Sequence, residues 1–134
     1  MTRLSVAAAV VVLGALVLAA GAQACSCART SPAEKMRGAD AAILGKLVKV
    51  VPRSRSKADY SYRVQRVYKR AGGIRRGRTI SVRSARESSA CGLPARTGRR
   101  YGVLLLRDGS RWASGLCGVF QPRALAKAEF SCAS

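Results

Sequence analysis

The residues best placed to do chemistry in this chain are Cys25, Ser26 and Cys27. They follow Ala22-Gln23-Ala24, a small-x-small site of the kind a signal peptidase cuts. Upstream, Arg3 is the only charge before position 29, and an apolar run rich in Val, Ala and Leu extends from Leu4 to Ala20. This layout predicts a secretory leader over 1–24, whose apolar run is slightly shorter than the roughly 20 residues that span a bilayer. Cleavage after Ala24 makes Cys25 the first residue of the exported chain. In an extended segment successive side chains alternate faces, so Cys25 and Cys27 point one way and Ser26 the other. Two disulfides drawn from these cysteines would staple the segment flat against the domain. The outward face would then offer the Ser26 side chain with the free α-amine and carbonyl of Cys25.

Other chemistries are disfavoured by what the chain lacks. It contains no histidine, which removes His-based triads, His general bases and His-ligated metal sites. Its six acids are Glu34, Asp40, Asp59, Glu87, Asp108 and Glu129, none of them closely paired in sequence. The Gly72-Gly73 pair opens no phosphate-binding helix, and no base is evident to activate a nucleophilic cysteine. The expectation is a protein that is not an enzyme, with no cofactor and no metal of its own. Cys-x-Cys can bind copper(I), but an exported pair more often oxidises.

All five cysteines, Cys25, Cys27, Cys91, Cys117 and Cys132, lie in the exported part, where disulfides are the default. Five is odd, so one thiol is left over or pairs between chains. A cysteine directly after a leader also suggests a lipoprotein. That processing wants Leu three residues earlier, and Ala22 stands there. Contact with a membrane is therefore expected only if the leader is retained or Cys25 is lipidated. The expected location is secreted, extracellular or cell envelope.

The chain has 25 Lys and Arg against six acids, for a net charge of +19; loss of Arg3 with the leader leaves +18. Such a balance favours acidic partners such as envelope polymers, glycans or anionic lipid. Arg outnumbers Lys 19 to 6 and is spread over the chain, as a GC-rich genome would also produce. No aromatic-interleaved basic motif points to nucleic acid.

These groups must be positioned by one domain, 25–134, whose 110 residues suffice for a core. Thr30 to Glu34 reads as a helix start, with Ser31 as cap, Pro32 in the first turn and Glu34 near the positive dipole end; the helix should end near Gly38. Strands are predicted over 41–51, 60–69, 79–83, 100–107 and 111–117. In the second, Tyr60, Tyr62, Val64 and Tyr68 fall on one face, although Arg66 breaks the alternation. Ala71-Gly72-Gly73 and Arg76-Gly77 mark turns, Asp108-Gly109 marks a hairpin, and Ser88 to Pro94 is an irregular loop carrying Cys91. Gln121-Pro122 starts a short helix through Phe130. The fold class is mainly β: a five-stranded Greek-key barrel of the OB type with one or two short helices and a stapled N-terminus. A sandwich would fit the pattern almost as well.

Cys-Ser-Cys at the exported N-terminus, Asp40 before an apolar strand, Tyr62 to Lys69 before a Gly-rich turn, Ala90-Cys91-Gly92 and Leu116-Cys117 form an ordered set. In this set the chain resembles the N-terminal domain of the tissue inhibitors of metalloproteinases, within the broader netrin-like modules. The resemblance implies an OB barrel, disulfides Cys25–Cys91 and Cys27–Cys117, and a zinc metalloprotease as partner. It implies that the Cys25 amine and carbonyl chelate the protease zinc, displacing its water. The amine must be neutral, and its ordinary pKa of about 7.7–8.0 makes that inexpensive at neutral pH. Ser26 would enter the pocket beside the zinc. The contact ridge would comprise Ser26, Cys27 and Ala28 with Ser88, Ser89 and Ala90. Arg37 stands where the family has a third cysteine in the early helix, so Cys132 is expected to be unpaired. The competing expectation is a netrin-like module that inhibits nothing and binds acidic envelope or extracellular polymers.

Overall fold

The computed structural model describes residues 25–132, so the leader expected over 1–24 lies outside the described residues, as does the side chain of Cys132. The described part is mainly β: a six-stranded sheet with two short helices and two disulfides.

Helix α1 spans Pro32–Gly38. Ser31 caps it in a reciprocal box: the Glu34 backbone N–H donates to Ser31 Oγ at 3.2 Å, and Ser31 N–H donates to the Glu34 carboxylate at 2.9 Å. Strand β1 (Ala41–Pro52) then pairs antiparallel with β2 (Lys57–Lys69). The turn between them is tight, because Arg53 N–H and Ser54 N–H both donate to the Lys57 carbonyl. The second strand therefore starts at Lys57, three residues earlier than expected. β3 (Thr79–Ala85) pairs antiparallel with β2 and parallel with β5 (Arg111–Ala113) at Val82 and Arg83. β5 forms a hairpin with β4 (Arg100–Asp108), and β4 pairs with β1 along that strand's other edge. The path of pairing thus runs β1, β2, β3, β5, β4 and back to β1. A sixth strand, β6 (Val119–Phe120), pairs with β4, and α2 (Pro122–Cys132) follows.

Two differences from the expected elements have local causes. The fifth strand was expected through Cys117 but ends at Ala113. There Ser114 Oγ donates to the Leu104 carbonyl at 2.6 Å and Leu116 N–H donates to the Cys91 carbonyl at 2.9 Å. Those bonds pull the chain off the ladder into a 3-10 turn, Leu116–Gly118, before β6. In β2, the register against β1 slips so that Val64 opposes Gly45 while Arg66 opposes Leu44, and Val67 opposes Ile43 while Lys69 opposes Ala42. Each slip inserts an extra residue and shifts the in–out parity. Val67 therefore packs against the main core, and Tyr68 joins the second cluster instead of the face of Tyr60, Tyr62 and Val64.

The main core holds Ile43, Leu47, Tyr60, Tyr62, Val64, Val82, Val103 and Leu105, all essentially buried. A smaller cluster of Met36, Ala42, Leu104 and Leu125 seats both helices on β1 and β4. Lys69 fixes α1 from below: its Nζ donates to the carbonyls of Met36 and Arg37 at 3.3 and 2.9 Å, and to that of Ala39. These are among the C-terminal carbonyls an α-helix cannot satisfy itself. Among the described residues, no helix is long and apolar enough to cross a membrane.

Candidate functional site

The loop after β3 must reverse sharply, and the residue types permit it. Ser88–Ala90 forms one 3-10 turn, closed by Cys91 N–H donating to the Ser88 carbonyl at 3.1 Å. Cys91 has φ of 64°, the one non-glycine residue in the left-handed region among the described residues. Gly92 N–H then donates to the Glu87 carbonyl at 3.0 Å. A Cβ at Gly92 would collide with the Ala85 carbonyl oxygen, so only glycine lets the loop fold back on β3. At the same strand end, Tyr60 Oη donates to the Ala85 carbonyl at 3.1 Å. Burial and the nearby Glu87 charge raise the Tyr60 phenol above its ordinary range, which keeps it a donor.

A second segment lies against this loop. Ser114 N–H donates to the Arg83 carbonyl at 3.1 Å and, as above, Leu116 N–H reaches Cys91. Cys91 and Cys117 therefore sit on two hydrogen-bonded segments, and the N-terminal strap Cys25–Ala28 crosses both. Its anchors are the disulfides Cys25–Cys91 and Cys27–Cys117, with Cα–Cα distances of 5.4 and 5.3 Å. These are the pairs that the resemblance implies.

The structure brings most of the expected ridge together. Cys25 Sγ lies 3.9 and 3.7 Å from the carbonyl oxygens of Ser88 and Ser89. A disulfide sulfur carries no proton, so these are packing contacts rather than hydrogen bonds. Ser26, Cys27, Ala28, Ser88, Ser89 and Ala90 are all exposed, and Cys25 is half-buried. Ala28 lines a cleft of about 560 Å³ together with Leu106 and Cys117. Leu106, 51 % exposed, is an apolar contributor to this edge that sequence reading missed. An unbroken apolar run from Val103 to Leu106 reads as core, but strand alternation puts Leu106 on the same face as Leu104, where the second cluster buries Leu104 and leaves Leu106 exposed.

Beneath the far side of the same strand end, Asp59 is clasped by two guanidinium groups. Arg83 Nε and Nη2 donate to its two oxygens at 2.8 and 3.1 Å, and Arg53 Nε donates at 2.6 Å. The Arg83 bonds, then those of Arg53, hold the carboxyl below its ordinary range against the opposing effect of burial. This clasp ties the start of β2 to β3, and so supports the platform under Cys91. Among the described residues, no three His, Cys, Asp or Glu side chains converge on a point that could hold a metal ion. What the edge offers chemically is backbone: a short, exposed strap held rigidly at two points. Comparison with known proteins finds no family model and no curated protein that matches the chain.

Proposed function

We propose that the chain is an exported inhibitor of zinc metalloproteases, built on an OB-type barrel of the netrin-like kind. The barrel reading is supported by the path of strand pairing that returns to β1. The inhibitor reading rests on one observation: residues 25–28 are pinned at Cys25 and Cys27 beside the exposed Ser88–Ala90 turn. With the leader removed, the Cys25 amine and carbonyl oxygen would enter a protease cleft together and chelate its zinc, displacing the water held there. Ser26 would follow into the adjacent pocket. Pinning lowers the ordering cost of that encounter. The two disulfides fit an oxidising, extracellular-type environment.

The test is to add one alanine before Cys25 and measure inhibition of a panel of zinc proteases. The extension moves the amine away and converts the Cys25 nitrogen to an amide, so inhibition should fall by at least about 100-fold, roughly 3 kcal/mol. Undiminished inhibition would eliminate the chelate.

A second reading, a non-inhibitory module held to acidic polymers, is favoured by one further observation. Six arginines line a single groove.

A further inference from the structure

That groove, about 970 Å³ in volume, lies between the C-terminal half of β2, its connection to β3 and the start of β4. Its floor includes Val64 and Ile74, which belong to the main core. Its walls carry Arg63, Arg66, Arg70, Arg75, Arg76 and Arg100, all exposed. No acid lines it. Among the described residues, Arg66 is the only one of the six with a carboxylate partner, Glu129 at 3.0 Å. The fold thus gathers cations from three stretches of sequence around one concavity and leaves most of them without a counter-charge among the described residues. Like charges so placed destabilise the empty groove and raise the local concentration of anions. Guanidinium groups present planar pairs of donors that match sulfate and phosphate oxygens. The volume is far larger than one such ion, and suits a chain bearing several.

We propose that this groove binds a linear polymer, other than nucleic acid, that carries repeated sulfate or phosphate groups, a proposal that rests on the second reading above and not on zinc chelation. The groove is separate from the N-terminal strap. In the β2–β3 ladder, Arg63 opposes Thr79 at one end, and Lys57 opposes Ala85 at the other, where the strap's platform begins. Six residues of strand put roughly 20 Å between them. No groove residue belongs to the strap or its ridge.

The experiment measures binding of the exported chain to a heparin-derived octasaccharide and to a polyphosphate of similar charge, by calorimetry over a range of salt. The variant R70S/R75S/R76S is compared with R29S/R55S/R123S, which removes the same charge from exposed sites outside the groove. The groove variant should bind at least about tenfold more weakly and lower the salt slope by roughly two to three, one released counterion per lost contact. The control should change affinity by less than about threefold, and the better-bound polymer distinguishes sulfate from phosphate. Equal losses in both variants would overturn the groove while leaving the acidic-polymer reading intact. No binding of the wild-type chain at moderate salt overturns both. A short DNA duplex bound more tightly than either polymer overturns the ligand class. Should the serine variant misfold, R70K/R75K/R76K keeps the charge and loses the planar donors: weakened binding supports the site, and unchanged binding overturns the guanidinium assignment.

Discussion

Asp59 illustrates how one side chain supports a distant edge. It is 12 % exposed and accepts from Arg83 and Arg53, the latter 55 % exposed and so contributing less. Asp59→Asn should cost about 1–2 kcal/mol in urea unfolding at neutral pH, because the amide nitrogen cannot accept from a guanidinium and the remaining oxygen accepts without charge. The folded carboxyl titrates below its unfolded value. Its contribution is therefore present above the ordinary carboxylate range and lost as pH falls through the lowered value. The gap between wild type and variant should narrow in acid, and a gap independent of pH would contradict the clasp. Residue by residue, the sequence was most legible where the partner is local. Ser31, Pro32 and Glu34 announced the helix start because all three act within one turn. Asp59 was silent because Arg83 reaches it only through the pairing of β2 with β3. Gly92 carried a readable signal, a glycine directly after a cysteine in an irregular loop, but its clash with Ala85 is a tertiary fact.

At the scale of elements, the placing of α1 depends on a lysine from another strand. Lys69→Met keeps the aliphatic stem and removes the donors to the helix's last carbonyls. The expected cost is about 1–3 kcal/mol, with faster amide exchange at Ala39 and Asp40. Unchanged stability and exchange would show that apolar packing alone seats the helix. Strand existence was legible from apolar runs and turn residues, and four of the five expected strands lie within about three residues of their places. The fifth failed because alternation of Trp112, Ser114 and Leu116 imitates a strand, whereas Ser114 and Leu116 spend their polar groups on Leu104 and Cys91. The bulges in β2 were foreshadowed by Arg66 on the apolar face, but a broken alternation does not say where the slip occurs.

For the whole molecule, the two disulfides close sequence separations of 66 and 90 residues. Chain entropy assigns each roughly 4–5 kcal/mol taken singly, and because the loops overlap the two do not add. Replacing Cys27 and Cys117 by serine should cost about 2–5 kcal/mol in urea unfolding and also release the strap, so that the proposed inhibition falls even where the domain stays folded. Retention of full inhibition by a folded C27S/C117S chain would contradict the need for a second anchor. The net charge was plain in composition, but its concentration in one groove was not. Arg100 joins Arg63 to Arg76 only because β4 runs beside β1, which itself pairs with β2.

The proposed chelation requires an unblocked backbone nitrogen at Cys25, and the most direct test is chemical. The protein purified from its own host is labelled at its free amines and then digested, and its N-terminal peptide is identified by mass spectrometry. The prediction is a peptide that begins at Cys25, carries the label on its α-nitrogen and is disulfide-linked to the peptide containing Cys91. A peptide that begins upstream of Cys25, or an acylated and unlabelled Cys25, would contradict the proposed mechanism.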